Sequence, residues 1–276
     1  MKRSADKHKN YFYFLRVYKR YLRVYLKMSK NSFVVWLNRG GALFFFLTGK
    51  VVRYTFYFAF LFFLVKNTNG FAGFSGNQIL FFVATYLLID TVAQFLFRSV
   101  YNFRPLVVSG DLDLVLLKPI NTLFRSLLGG TDLIDLITIP PIVFIVCYIG
   151  SLLNPSILNI FYYVLLVLNG LIVSASFHIA VLALGIITLE IDHTVMIYRD
   201  LVSMGRLPVD IYKEPLKSIL TFLVPVGVMF TIPAKAIMGL VSPVGIVSSL
   251  VFGIALLVLS IKFWHFALKK YTSASS

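Results

Sequence analysis

Charge is scarce in this chain, and negative charge is scarcest. Only 13% of the 276 residues are Asp, Glu, Lys or Arg, with 11 acids against 26 bases. Soluble domains carry roughly a quarter charged residues. Because 59% of the chain is hydrophobic, it cannot cover itself with a water-compatible surface. That excludes an ordinary soluble domain and makes the bilayer the solvent for much of the surface. A single cysteine, Cys147, excludes an internal disulfide and a cysteine metal cluster. It stands in an apolar run and reads as an inert packing residue. The histidines (His8, His178, His193 and His265) are scattered without metal-ligand spacing, and His178 reads as a packed, hydrogen-bonded side chain. Catalytic signatures are missing too: neither Gly-x-Ser-x-Gly nor His-Glu-x-x-His occurs. Thr48-Gly49-Lys50 ends like a phosphate-binding loop, but position 44 is Phe where that loop needs glycine. What remains is a transporter, a channel or a membrane scaffold.

What the chain does have is a concentrated basic start. From Lys2 to Arg39 there are eleven lysines and arginines against one acid, Asp6. Tyr11, Phe12, Tyr13, Phe14, Tyr18, Tyr21 and Tyr25 are interleaved with them. Nucleic-acid binders can look like this. So does a helix lying on an anionic membrane, with its bases among the headgroups and its rings at the boundary. The segment runs straight into a hydrophobic stretch, which favours the membrane surface and no nucleic acid. It also lacks the short apolar core and small-residue cleavage site of a signal peptide.

About 20 apolar residues are needed to cross a bilayer as a helix. The sequence predicts six such spans, at about 42–65, 77–98, 132–150, 157–189, 216–239 and 243–266. The fourth is long enough to tilt or project. The apolar runs are continuous and do not alternate, so they read as helices rather than barrel strands. The expected fold class is an all-α membrane protein with six transmembrane helices in a single transmembrane domain, 1–276. Bases cluster at the N-terminus, at Arg98, Arg104, Lys118 and Arg125, at Arg199, Arg206, Lys213 and Lys217, and at Lys262, Lys269 and Lys270. The alternate connections hold only Lys66 and Lys235. The positive-inside rule therefore predicts both termini in the cytoplasm. The outer connections are short, whereas the inner ones are longer and suited to a cytoplasmic partner.

Several ionisable groups sit at membrane depth, where charge is costly. Asp90 and Gln94 lie one turn apart in the second span. They read either as a hydrogen-bonded helix clamp, or as a polar lining of a translocation path or a contact for a cationic substrate. Lys50 and Arg53 either snorkel to the inner headgroups or face a cavity that accepts an anionic or amphipathic substrate. Asp132 and Asp135 open the third span, where they suit the helix dipole and could touch the basic inner loop. Pro225 and Pro233 are expected to break the fifth span.

The most informative inner segment runs from Arg104 to Asn121. Gly110 can end one helix and turn the chain. Asp111 suits an N-cap, and Asp113 complements the next helix dipole. Leu112, Leu116 and Leu117 follow at helical spacing, and Pro119 stops continuation after Lys118. This predicts a two-turn amphipathic helix on the cytoplasmic side.

The run SGDLDLVLLKPINTLF (Ser109–Phe124) resembles the loop element of type-2 ABC exporter permeases, a bacterial family. Gly205–Gly239, with Arg206, Pro208 and Tyr212, resembles the same family's approach to its fifth span. Trp36–Gly41 is a weaker third match. Lys50, Arg53 and the aromatic basic N-terminus depart from the pattern. The resemblance implies a permease that pairs with a second, identical or different permease on two cytoplasmic ABC ATPase subunits. It implies no cofactor in this chain, since ATP and Mg are held by those partners. By the same resemblance, Gly110, Asp111, Leu112, Asp113, Leu116, Lys118 and Pro119 form the coupling helix that docks in the ATPase. The segment 10–38 becomes an amphipathic elbow helix, and the setting is the bacterial cytoplasmic membrane. Rival readings are an ion-coupled secondary transporter using Asp90, and a scaffold or assembly factor.

Overall fold

The computed structural model describes residues 2–68, 73–189 and 191–272, with side chains for 16–63, 73–189 and 191–272. The side chains of Lys66 and of 10–15, and residues 69–72 of the first outer loop, lie outside that description. Among the described residues there is no β-strand. Helices dominate because a chain facing hydrocarbon must satisfy its backbone groups internally.

A long helix, α1 (Lys2–Asn38), meets α2 (Gly41–Thr68) at a break where Gly40 takes a φ of 40°. Next comes α3 (Gly76–Phe97), whose start is fixed by the Gln78 side chain accepting from the Ser75 N–H at 2.8 Å. Three short helices follow: α4 (Phe103–Val108), α5 (Asp111–Leu116) and α6 (Thr122–Leu128). Asp132 caps α7 (Leu133–Ser151) by accepting from the Ile134 N–H at 2.8 Å. Ser156 caps α8 (Ile157–Thr188) through the Asn159 N–H, and Ser242 caps α12 (Pro243–Lys270) through the Gly245 N–H. These five helices, α2, α3, α7, α8 and α12, are each long and apolar enough to cross a membrane. They match the first, second, third, fourth and sixth expected spans. At 32 residues α8 is about 48 Å long, well beyond a hydrocarbon core of about 30 Å.

The seam between α8 and α12 is steric. Gly253 faces Asn169, and a Cβ there would lie 2.1 Å from the Asn169 Oδ1. The Asn169 amide donates to the Ser249 carbonyl at 2.9 Å, a hydrogen bond between helices of the kind that fastens membrane bundles. Gly170 likewise lies against the Met229 carbonyl. α3 is the central helix, buried on most sides against α7, α8 and the segments between 204 and 237. The end of the bundle where α3, α8 and α12 begin is called the upper end below. It corresponds to the side read as outer from the sequence.

The fifth expected span departs from the straight crossing read at 216–239. It is two pieces, α10 (Leu216–Leu223) and α11 (Gly227–Ile237), bent by 75°. Pro225 sits at the bend, between wide helical turns at Ile219–Leu223 and Gly227–Thr231. A proline removes an N–H and blocks straight continuation, and wide turns absorb the mismatch. Pro233 does not add a second bend. It stands at the head of Ile232–Ile237, where a missing N–H is tolerated. Both feet of the bent pair reach one carboxylate: Asp210 forms ion pairs with Lys235 at 2.6 Å and Lys217 at 3.1 Å. Lys235 also lies over the Phe74 ring, and Gly239 faces Asn159, so this cluster belongs to the upper end.

The chain reaches Asp210 through α9 (Ile191–Ser203) and its continuation to Ile211. Ile191 packs at Gly185, near the lower end of α8. About two turns on, Tyr198 meets His178 and Ser174. Gly205 then packs against Phe230 and Val226, and the Val209 N–H donates to Thr231 at 3.1 Å. This segment runs most of the length of α8 in the opposite direction. Two sequence assignments change accordingly. Arg199 is not an inner-loop cation but stands midway along the bundle, and Lys217 shares the upper end with Lys235. The polar α9 segment thus runs along the bundle where an inner loop was expected, and five helices, or six passes if the bent pair counts as one, are candidates to cross the membrane.

Candidate functional site

Two cavities and one projecting helix carry the polar chemistry. The first cavity, of about 90 Å³, lies midway along the bundle between α2, α3 and the α9 segment. Asp90 of α3 accepts from the Arg199 guanidinium at 3.1 Å and from the Gln94 amide at 2.7 Å. Asp90 therefore ties α3 to α9, as a helix clamp, and also faces the cavity. Tyr54, Tyr57 and Tyr86 supply hydroxyls, and Arg53 and Arg206 supply further positive charge. The Tyr54 hydroxyl lies 3.4 Å from Thr91, and Arg53 stacks near the same tyrosine ring.

The second cavity, of about 370 Å³, lies lower, between α2, α3 and α7. Lys50 does not snorkel. It pairs with Asp135 and donates to Thr138 at 3.0 Å. Asp132 pairs with Arg98 at 3.2 Å while still capping α7, so this acid does touch the basic connection after α3. The apolar wall is Trp36, Phe45 and Phe46, and Arg53 lines both cavities. An isolated buried charge is strongly disfavoured, which is why each acid here is held against a base. Arg206 and the pairing of Arg199 escaped the sequence reading, because both cations were counted as loop charges. The signal that could have found them is the helical spacing of Ile191, Tyr198 and Val202, all buried, around those polar residues.

The projecting helix is α5. Gly110 adopts a φ of 80° and is itself the N-cap, so Asp111 occupies the first helical position instead of the cap. The Asp111 carboxylate accepts from the Ser109 hydroxyl at 2.8 Å. Leu112 is fully buried, and with Val115 it anchors the helix, so it offers no surface. Leu114 and Leu117 point outward, 59% and 81% exposed, with Leu116, Lys118 and Pro119 beside them. The far end of this turn is gripped by α1. Arg20 donates to the Pro119 carbonyl at 2.7 Å, the Asn121 N–H donates to the Tyr21 hydroxyl at 3.1 Å, and the Tyr21 ring meets Phe124 edge-on.

The model of a family described as ABC-2 family transporter protein matches residues 51–275. The chain belongs to the ABC-2 transporter family. No curated protein and no solved structure matches it. The family match covers α5, the α9 segment and the bent pair. It begins after Trp36, Phe45, Phe46 and Lys50, so part of the lower cavity's wall precedes it. As an ABC-2 permease the chain is a membrane transport component with multiple membrane passes.

Two other side chains of this permease are placed by the structure without joining a cavity. His178 is buried among Phe97, Tyr101 and Tyr198 with its Nδ1 at the Ser174 carbonyl, which fits the packed residue expected of it. Cys147 is exposed on α7 instead of packed within it.

Proposed function

We propose that this chain is the membrane permease subunit of an ATP-driven exporter. It moves a substrate from the cytoplasm or inner leaflet outward by alternating access, in the bacterial cytoplasmic membrane with both termini inside. It pairs with a second permease and sits on separate ABC ATPase subunits that hold ATP and Mg. The observation that supports this best is α5. A two-turn helix is too short to be stable alone, yet this one is anchored by Leu112 and Val115 and presents Leu114 and Leu117 outward. A groove in a partner protein would cover them, and the α1 grip would pass its rigid-body movement to the bundle. The ion-coupled alternative gains no support, since Asp90 is already occupied by Arg199 and Gln94.

Mild-detergent copurification with the ATPase encoded beside this reading frame tests the proposal. The native chain should bring that subunit down. Asp113→Lys combined with Leu116→Asp should abolish association, and Leu114→Asp with Leu117→Asp should do the same while leaving elution of the permease monodisperse. Undiminished association in both double variants would refute docking through α5.

A further inference from the structure

The two cavities contain more positive charge than their acids can balance. Lys50 is paired with Asp135, Arg98 with Asp132 and Arg199 with Asp90. Arg53 and Arg206 line the mid-bundle cavity and carry no ion pair among the described residues. The acid that lines the same cavity, Asp90, is already committed to Arg199 and Gln94. Arg53 lies twelve residues into α2, about 18 Å along that helix, in a hydrocarbon layer about 30 Å thick. Neither headgroup layer is within easy reach from there. Arg206 is hydrogen-bonded to Tyr86 and Arg53 lies over the Tyr54 ring, but two guanidinium groups at mid-depth without an ion pair of their own still favour an anion beside them.

The side chains around these arginines define what kind of anion. Guanidinium forks match planar or tetrahedral oxyanions with paired hydrogen bonds. The hydroxyls of Tyr57 and Tyr86 stand in the same cavity and can donate to such oxygens. The mid-bundle space suits a compact group. Below it, through the shared Arg53, the larger cavity is walled by Trp36, Phe45 and Phe46. Oxyanion recognition above and an aromatic wall below describe the two parts of an amphiphile.

We infer that the two cavities on either side of Arg53 bind an anionic amphiphile, with its phosphate or carboxylate headgroup held by Arg53 and Arg206 and its apolar part along Trp36, Phe45 and Phe46. This rests on the reading of the chain as a permease and names the chemical class of its substrate.

Trp36 provides the test. Only one other tryptophan exists, Trp264, which is buried against Phe103 away from the cavities. The full chain carrying Trp264→Phe is placed in phosphatidylcholine nanodiscs and titrated with phosphatidic acid brominated on its tails. Quenching of Trp36 should saturate, and brominated phosphatidylcholine at equal mole fraction should give no saturable phase. Arg53→Gln with Arg206→Gln should weaken the apparent affinity at least tenfold, whereas Lys262→Gln on α12 should not change it. Arg53→Lys with Arg206→Lys should fall between, since charge is kept and the fork is lost. If Trp264→Phe does not elute monodisperse, the native chain is titrated and the Trp36-specific signal is taken against Trp36→Phe. Equal quenching by the two lipids, or unchanged affinity in the double glutamine variant, overturns the inference. Displacement by inorganic phosphate alone would assign the site to a soluble anion and overturn the amphiphile. ATPase copurification, measured in the same variants, separates the two proposals. Intact copurification with no selective quenching sinks this inference alone, and the reverse sinks the docking proposal alone.

Discussion

α2 and α8 have similar apolar composition and opposite means of attachment. α8 is fastened by shape: glycines at 170, 185 and 253 let helices and side chains close on it, and Asn169 adds one polar tie. α2 is hardly covered at all, with Phe44, Phe45, Phe46, Phe56, Phe60, Phe62 and Phe63 exposed. It packs into the core through Leu61, Tyr57 and Phe58, and polar ties fasten it at particular points, Lys50 to Asp135 and Thr138 and Tyr54 to Thr91. Steric seams resist sliding, because a packed glycine has one position. A few polar ties permit a helix to pivot while staying attached. The chain thus divides into a fixed pair, α8 and α12, and a helix tethered at particular points.

The largest effect is expected where the tether is cut. Lys50→Met leaves Asp135 buried without its base and should cost about 3 kcal/mol or more. Thermal unfolding in detergent measures it, and adding Asp135→Asn should recover most of the loss. No recovery would mean that α2 is held by something other than this pair. Next comes the seam. Gly253→Leu drives a side chain into Asn169 and should lower stability by about 2 kcal/mol. A neutral result would remove the steric half of the contrast. Smallest is Asn169→Leu, which deletes the tie to Ser249 and should cost about 1 kcal/mol. A loss as large as that from Lys50→Met would show that α8 too depends chiefly on polar bonding.

The five apolar crossings were legible because lipid imposes apolarity on any helix that faces it. The α9 pass was not, for the same reason turned around. Asp192, His193, Arg199, Asp200 and Arg206 lower its average hydropathy, and those of them that face the cavity never need to be apolar. Conversely 216–239 is apolar enough to be read as a straight crossing, and only Pro225 hinted at the bend. At the site, Lys50, Arg53, Asp90 and Gln94 were found from their depth alone. Their partners were not, since Asp135 lies 85 residues from Lys50 and Arg199 lies 109 from Asp90. The short helix α5 was read from Gly110 and Pro119, whose backbone restrictions are local. Leu112 was misjudged because helical spacing gives a face but not its direction.

Asp210 has a place in the chain order that matters for how the protein is made. It precedes both lysines that it holds, Lys217 and Lys235. Synthesis runs from the N-terminus, so the counter-charge has emerged before either cation does. Each lysine can be neutralised as it arrives, and the segment between them need never present a bare ammonium to hydrocarbon. One early carboxylate thus acts as an escort for two later passengers.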